Sequence, residues 1–310
     1  MDNFYSKIIE NCFTIIDKTA TEVPYTLYNH QKMTLNRWAS CGENAGHLNL
    51  KAASVGSSSL ALAFGMARAM SIDNTVGVLW AHEETLAQKL LARGKRFVEV
   101  AQKSKNPYMS FPGYNRNRMD FIELENRSKV YIETAGSTGD IGRGDPVNFF
   151  IGTEVAFWKK KGLLTAILPR LPGIKIFEST GNGTTGWFYK QCMNCIEGKG
   201  TFNFTFVPWF VHWEYTIHDK KVVLSDKTDE ELDLQETFKI TDNQLQWRRN
   251  KIEEMDSGEN INGEDAFKQE FPTTPEEAFM RSGSPIFGQQ VYSIIEKTLE
   301  EPIFVGGFAC

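Results

Sequence analysis

The sequence predicts an α/β fold with a mostly parallel central sheet flanked by helices. Over the first 220 residues, short apolar segments typical of buried strands alternate with segments of helical periodicity. Parallel strands need a crossover connection, and a helix between successive strands supplies it. After about residue 220 the alternation gives way to acidic helical patterns, which indicates a smaller helical subdomain packed on the α/β part.

Composition and charge exclude several classes of protein. The 310 residues are 41% hydrophobic, enough for a packed core, and a net charge of −5 disfavours coating nucleic acid by bulk charge. No run approaches the roughly 18 apolar residues of a membrane span, and the acidic residues Asp2, Glu10 and Asp17 are wrong for a signal peptide. An odd number of cysteines favours free thiols in a reducing compartment, with a zinc or redox role for Cys192 and Cys195 as the alternative.

The predicted elements follow one another in a regular order. Apolar side chains at helical spacing over residues 4–16 predict an amphipathic helix. Strands are predicted at 47–52, 76–80, 147–151, 174–177 and 202–207, and a hairpin at 121–123 and 129–133. Helices are predicted at 60–70, 84–102, 163–168, 186–196 and 241–255, the last from a capping box at its start.

A Gly/Ser-rich loop joins the first predicted strand of the sheet to its helix and has the chemistry of a phosphate site. Backbone N–H groups and the positive end of the helix dipole meet there, small residues let the backbone approach an anion, and a first-turn hydroxyl can ligate Mg²⁺. Gly56 followed by Ser57, Ser58 and Ser59 fits that geometry. The full Walker pattern is not matched, because Ser57 occupies the position of its lysine, and a helix N-cap with spare serines is the alternative.

Two further polar loops follow strands of the same predicted sheet. Glu154 comes shortly after the strand at 147–151, where a carboxylate can polarise the water that attacks a γ-phosphate. The segment 178–186 is a small polar loop after the strand at 174–177, and in a parallel sheet all three loops lie at one edge. A lone strand-end glutamate is structural more often than catalytic, and one polar loop is ordinary turn chemistry. The prediction of a nucleotide site therefore depends on the three loops together.

A set of segments in fixed order carries a resemblance to a known family. They are Glu154-Val155-Ala156-Phe157-Trp158, Ser179-Thr180-Gly181-Asn182-Gly183, Phe206-Val207-Pro208-Trp209-Phe210, Trp213-Glu214-Tyr215, 245–252, 267–272 and 275–279. From about Val23 to Gly288 the chain resembles the large terminase subunit of tailed bacteriophages, which contains the ATP-driven motors that push DNA into a procapsid. No single segment is specific, whereas the set with its spacing is.

The resemblance implies a RecA-like P-loop ATPase fold with ATP and Mg²⁺ as cofactors. Gln31 corresponds to a glutamine that recognises adenine, and Glu154 to the catalytic carboxylate. Arg143 lies where related motors offer an arginine to the ATP of the neighbouring subunit. Such an arginine neutralises negative charge in the transition state. Ser58, or else Ser59, matches the hydroxyl that meets Mg²⁺. The implied phosphate-binding residues are Lys51, Ser54, Val55, Gly56, Ser57, Ser58 and Ser59, and the implied coupling residues are Thr180, Gly181, Asn182 and Gly183.

Two departures from the family pattern bear on turnover. The family usually has Arg-Gln where this chain has Ala53 and Ser54, and removing a cation from a phosphoryl-transfer site costs orders of magnitude in rate unless Lys51 compensates. Thr153 replaces an aspartate, which is tolerable if Mg²⁺ is held through water. The alternative function is therefore a nucleotide-binding packaging or assembly protein with weak or no ATP turnover. Turnover measured with and without Ala53→Arg separates the two hypotheses.

The stretch from Thr85 to Arg118 carries eight basic side chains and one acidic one, with aromatic residues between them. Such a stretch can grip DNA phosphates without sequence specificity, and a solvated helix face followed by a basic loop is the alternative. The residues predicted to contact DNA are Lys95, Arg96, Lys103 and Lys105.

The resemblance also implies a domain organisation and a set of partners. We expect an N-terminal helical lid with the adenine-contacting segment at 1–45, a RecA-like core at 46–220 and an acidic helical linker at 221–310. Large terminases continue into a nuclease, for which the residues after Gly288 leave no room, so DNA cleavage is not expected. The implied partners are double-stranded DNA, portal protein and small terminase subunit, with a homo-oligomeric ring as the active state, a monomer in isolation as the alternative, and no membrane. The implied location is the host cell cytoplasm, transiently at the portal vertex of the procapsid.

Overall fold

The computed structural model describes residues 3–104, 110–117, 121–136, 146–160, 162–256 and 262–279. Two of the predicted site residues, Lys105 and Arg143, lie outside these ranges. The strands are β1 (Thr14–Ile16), β2 (Glu22–Pro24), β3 (Gly46–Lys51), β4 (Val76–Ala81), β5 (Tyr114–Asn117), β6 (Phe121–Leu124), β7 (Lys129–Thr134), β8 (Phe149–Thr153), β9 (Ile174–Ser179) and β10 (Asn203–Val207). The helices are α1 (Phe4–Cys12), α2 (Asn29–Ser40), α3 (Ser57–Ser71), α4 (Glu84–Lys103), α5 (Leu163–Ile167), α6 (Gly186–Ile196), α7 (Asp229–Phe238), α8 (Asp242–Met255) and α9 (Gly263–Glu270).

Eight strands form the central sheet in the order β10-β3-β9-β8-β4-β7-β6-β5. Neighbouring strands from β10 to β7 are parallel, whereas β6 pairs antiparallel with both β7 and β5. The prediction of a mostly parallel sheet flanked by helices is therefore confirmed. Because β3, β9 and β8 are adjacent and parallel, the loops that follow them meet at one edge of the sheet.

The sheet is buried on both faces, as parallel sheets are. Side chains alternate between the faces along β8, where Phe149 and Ile151 belong to one core and Phe150 to the other. The first core also holds the apolar sides of α1 to α4, and the second holds those of α5 and α6. Within the described ranges, no helix combines the length and apolarity that crossing a membrane requires.

The N-terminal segment differs from the prediction of one helix over 4–16. α1 ends at Cys12, and the Phe13 amide closes it by donating to the Ile9 carbonyl. The β-branched run that follows pairs as β1 with β2, antiparallel. The Phe13 ring stacks on Phe97 of α4 with centroids 4.4 Å apart, so tertiary packing overrides the helical spacing.

The acidic C-terminal part forms helices that pack on the end of the sheet. Capping boxes begin α7 at Thr228 and α8 at Thr241, the second as predicted. A third core joins these helices to the region after β10, where Trp209 stacks on Trp247 at 5.3 Å. The boundaries expected near residues 45 and 220 stay a prediction.

Candidate active site

The loop from β3 to α3 turns through left-handed backbone at two positions. Ser54 has φ 54° and Gly56 has φ 78°. The positive φ favours glycine at position 56, and a Cβ there would also lie 2.6 Å from Nε2 of Gln31 and displace that amide. Among the residues that the structure describes, no side chain caps the start of α3 at Gly56, which leaves the first turn of a 15-residue helix available to an anion.

Backbone contacts to distant segments hold the outer side of this loop. The Ala52 amide donates to the Val207 carbonyl at 2.8 Å, and the Ala53 amide donates to the Glu270 carbonyl at 2.7 Å. The Tyr215 hydroxyl donates to the Ala53 carbonyl at 2.6 Å. The end of β10 and the end of α9 thus fix the loop, which gives the site a rigid support.

Gln31 lies against the same loop with both ends of its amide engaged. Its Nε2 donates to the Val55 carbonyl at 3.3 Å, and its Oε1 accepts from the Tyr28 amide at 3.1 Å. The side chain is buried. A ring nitrogen of His30 lies 3.3 Å from the same Val55 carbonyl. The structure thus brings Gln31 to the predicted phosphate loop, while its role with adenine stays a prediction.

A cluster of buried charges lies where β3, β9 and β8 end. Lys51 Nζ lies 2.6 Å from Glu154 Oε1 and 3.6 Å from Glu178 Oε2. The Ser58 hydroxyl donates to Glu178 Oε1 at 2.6 Å. The exposed fractions of the side chains are 5% for Lys51, 19% for Glu154 and 0% for Glu178. The structure therefore brings together Lys51 and Ser58 of the predicted phosphate loop with the predicted Glu154, and it adds a fourth residue, Glu178.

The pKa values of Lys51 and Glu178 both lie above their ordinary values, but for different reasons. Burial opposes the charged form of Lys51, but the carboxylates of Glu178 and Glu154 outweigh it, and the net effect raises the pKa of the ammonium. Burial and the nearby charge of Glu154 raise the pKa of Glu178 against the lowering effect of Lys51, and the net result is a pKa of about 7. Lys51 is thus held as a cation, and its shortest ionic contact is with Glu154.

Glu154 combines a strained backbone with contacts to the predicted coupling residues. Its φ is 49°, a left-handed conformation that non-glycine residues adopt mainly where the surroundings impose it. Its Oε2 accepts from the Thr180 amide at 3.3 Å and lies 3.4 Å from the Ser179 hydroxyl. Asn182 Nδ2 donates to the Ala156 carbonyl at 3.1 Å. The coupling segment therefore contacts both the carboxylate and the turn that follows it.

The same segment touches the C-terminal part of the chain at Gly181. A Cβ on this residue would lie 1.6 Å from the Ala278 carbonyl oxygen, so only glycine permits the contact. Gly183, two residues on, has φ 67° and completes the turn before α6. The loop therefore contacts both Glu154 and the C-terminal part of the chain.

The predicted DNA-contacting residues lie on α4, apart from Lys105, which is outside the described ranges. Arg96 faces Glu22 of β2 at 3.8 Å, and the Lys95 carbonyl accepts from the Tyr114 hydroxyl at 2.6 Å. Lys103 is exposed at the end of the helix. Arg93, from the same basic stretch, donates instead to the Ser59 hydroxyl in the first turn of α3. The basic stretch therefore divides between the candidate site and the surface.

Glu178 and Arg93 are not among the site residues that the sequence predicts. Ser58 lies 120 positions from Glu178, and Ser59 lies 34 positions from Arg93, so no local spacing connects them. The one local signal for Glu178 is its place at the carboxyl end of a buried strand, the same signal that identified Glu154.

The cluster has the chemistry that a magnesium–nucleotide complex requires. Mg²⁺ prefers hydroxyl, carboxylate and water oxygens and is usually held by few protein ligands together with the phosphates. Ser58 and two carboxylates supply such oxygens, and Lys51 and the α3 terminus supply positive charge. Over the described ranges, no group of three or more His, Cys, Asp or Glu side chains is arranged to hold a metal ion by itself.

Comparison with known proteins gives matches among solved structures. No protein-family model matches the sequence, and no curated protein matches it either. The HK97 bacteriophage large terminase has a TM-score of 0.50 and 12% identity, over 78% of this chain and 55% of that chain. The chain and the HK97 terminase share a fold. At this identity the likeness concerns the fold alone, and the chain spans about half the length of the HK97 protein.

Two other terminase structures resemble the chain less closely in shape. The ATPase domain of the Thermus phage P74-26 large terminase has a TM-score of 0.46 and 16% identity, over 72% of this chain and 92% of that one. The large terminase of a thermophilic bacteriophage, in complex with ADP, has a TM-score of 0.43 and 13% identity, over 59% of this chain and 46% of that one.

Proposed function

We propose that the chain is the ATPase motor domain of a phage large terminase, which hydrolyses ATP to translocate double-stranded DNA into a procapsid. The observation that carries the proposal is the cluster of Lys51, Ser58, Glu154 and Glu178 beside an uncapped helix start. The shared fold with the HK97 terminase supports the choice of family.

In this proposal the first turn of α3 and the glycine at position 56 bind the phosphates of ATP. Ser58 would hold the magnesium ion that comes with the nucleotide, and this ion would supply positive charge at the phosphates. Lys51 provides the cation that Ala53 does not, because Lys51 is the last residue of β3, directly before the loop, and its ammonium lies beside Glu154. Glu154 orients the attacking water and accepts its proton, and Asn182 communicates the state of the site to the turn at Ala156.

The test is the rate of ATP hydrolysis by wild type and Glu154→Gln. We expect the variant to lose about 100-fold or more of the turnover while it still binds nucleotide, because the amide cannot accept the proton. Glu133→Gln is the matched control, since Glu133 is another glutamate near the carboxyl end of a strand of this sheet, on β7. Equal turnover by wild type and Glu154→Gln would refute the assignment of Glu154.

For DNA we propose that the outer surface of α4, with Lys95, Arg96 and Lys103, contacts the duplex backbone, joined by Lys105. Lys95 and Arg96 are half-buried and Lys103 is exposed, so all three side chains reach the surface, which supports the proposal. We further propose that Arg143 acts across a ring of identical subunits, and that portal protein and small terminase subunit are partners in the host cytoplasm.

The salt dependence of DNA binding tests this surface. Each neutralised phosphate contributes about −0.9 to the slope of log K against log salt, so Lys95→Ala with Arg96→Ala should reduce the slope by about two. The control is Lys220→Ala with Lys221→Ala, which removes the same charge from an exposed lysine pair elsewhere. An unchanged slope in the first variant, or an equal change in both, would show that α4 is not the DNA-contacting surface.

A further inference from the structure

Thr153 occupies the position at which the family pattern has an aspartate, so the candidate site lacks a carboxylate there. P-loop NTPases hold Mg²⁺ with the loop hydroxyl and an aspartate at the end of a neighbouring strand. Here Thr153 ends β8 directly before Glu154, and its side chain is fully buried. Its hydroxyl has no hydrogen-bond partner among the described residues. A neutral hydroxyl cannot replace the charge of a carboxylate beside a divalent cation.

The register of the sheet places an acid directly across from this residue. Thr153 of β8 is aligned with Glu178 of β9 in the parallel pair. β9 lies between β8 and β3, so it is one strand closer to the loop that leads into α3. Glu178 Oε1 accepts from the Ser58 hydroxyl at 2.6 Å, the hydroxyl expected at the metal. We propose that Glu178 supplies the acid that holds the magnesium shell in place of the aspartate missing at position 153, an inference that depends on the proposed nucleotide site.

The state of Glu178 itself points to a further ligand. Its side chain is 0% exposed, and Oε2 has no hydrogen-bond donor among the described residues, with Lys51 Nζ at 3.6 Å as its ionic neighbour. A buried carboxylate oxygen without a donor is costly and calls for an explanation. A water molecule of the magnesium shell would donate to it. In this arrangement Ser58 binds the metal directly and Glu178 acts through water, as outer carboxylates at metal sites do.

A purely structural role for Glu178 would be to balance the charge of Lys51. If that role were the whole account, Glu178→Gln would change nucleotide affinity equally with and without magnesium. The proposed role predicts that the substitution changes the affinity only when magnesium is present. Glu270 provides the matched control, because it is a half-buried carboxylate whose charge also acts on Lys51. The Glu270→Gln variant therefore changes the charge around Lys51 and leaves the Ser58 contact intact.

The experiment is calorimetric titration of ADP into wild type, Glu178→Gln and Glu270→Gln, each with Mg²⁺ and with EDTA. We expect Glu178→Gln to reduce the magnesium-dependent gain in affinity about tenfold or more, with the affinity in EDTA unchanged and Glu270→Gln like wild type. The inference would be overturned if Glu178→Gln weakened ADP binding equally with Mg²⁺ and with EDTA. It would also be overturned if Glu178→Gln and Glu270→Gln changed the affinity for ADP in the same way. A wild-type chain that binds ADP in neither condition would instead refute the proposed nucleotide site, and the inference with it.

A double-mutant cycle supplies the second measurement. If Ser58 and Glu178 act on one metal ion, Ser58→Ala should abolish most of the magnesium-dependent gain, and Glu178→Gln should add little in that background. Additive losses in the Ser58→Ala, Glu178→Gln double variant would mean that the two residues act independently, which contradicts a shared magnesium shell.

Discussion

At the carboxyl ends of β3, β9 and β8, Lys51 meets its carboxylates almost entirely out of water, whereas each ion pair formed by α7, α8 and α9 keeps at least one partner in contact with water. In the first cluster Glu178 is 0% exposed and Lys51 is 5% exposed. In the second, Arg249 of α8 is 27% exposed and pairs with Glu231, which is 4% exposed, and with Asp226, which is 76% exposed. The two clusters use the same chemical groups with different access to water.

The contrast in environment indicates what each cluster contributes. Exposed ion pairs contribute about 1 kcal/mol or less, because water and salt screen them. A buried pair gives little net stability, but loss of one partner leaves an uncompensated charge in a medium that solvates it poorly. Charges are therefore retained in the interior mainly where they act on something else. The nucleotide site that we propose meets that condition, and the helical network has the properties of ordinary surface stabilisation.

The largest effect on stability should come from Lys51→Met, which keeps the length of the side chain and removes its charge. At neutral pH we expect a loss of about 3 kcal/mol of unfolding free energy, because Glu154 and Glu178 are left without their shared cation. Chemical denaturation followed by circular dichroism measures this value. If Lys51→Met lost no more unfolding free energy than Arg249→Met, the two clusters would not differ in their contribution to stability.

The pH dependence of this variant gives a sharper signature. Lys51 lowers the pKa of Glu178, so its removal raises that pKa further above the ordinary value of 4.5. The folded state then binds more protons than the unfolded state above that value, so stability falls as the pH rises through the raised pKa. The cost of Lys51→Met should thus be smaller near pH 5 than at neutrality. Lys175→Met is the control, since Lys175 donates to backbone carbonyls of Asn44, Leu171 and Gly173.

The sheet and its edge could be predicted because their signals are local. An apolar segment followed by small polar residues marks the end of a buried strand, and this pattern located the loops at Gly56, Glu154 and Thr180. The hairpin of β6 and β7 was marked in the same way by the turn residues at 126–128. Once the strands are taken as parallel, the convergence of the three loops follows from geometry.

The parts that could not be predicted depend on contacts between distant segments. The helical spacing over 4–16 is real, yet the packing of Phe13 on Phe97 and the pairing of β1 with β2 end the helix early. β5 has the sequence Tyr-Asn-Arg-Asn, which lacks apolar alternation, and it forms because β6 offers an edge. Glu178 gains its significance from the alignment with Thr153, and register across two strands is not encoded in either strand alone.

A smaller effect should come from Arg249→Met in the ion-pair network of α7, α8 and α9. Arg249 donates through Nε and Nη2 to the two oxygens of Glu231 at 2.7 Å each, and we expect a loss of about 1 kcal/mol that shrinks in high salt. The hydrogen bond from Arg249 is the main cause that lowers the pKa of Glu231 below its ordinary value of 4.5. The stability from this pair is therefore present above that value and is lost as the pH falls through the lowered pKa.

Denaturation of wild type and Arg249→Met at neutral and acidic pH measures this contribution. The difference between the two chains should vanish in acid, opposite to the trend expected for Lys51→Met, whose cost grows as the pH rises. Lys251→Met, which breaks the exposed pair with Glu254 on the same helix, should cost less at every pH because it forms a single contact. If Arg249→Met instead lost several kcal/mol of unfolding free energy and this loss did not depend on salt concentration, the helical network would behave like the buried cluster. The environment of the charges would then not be what separates the two regions.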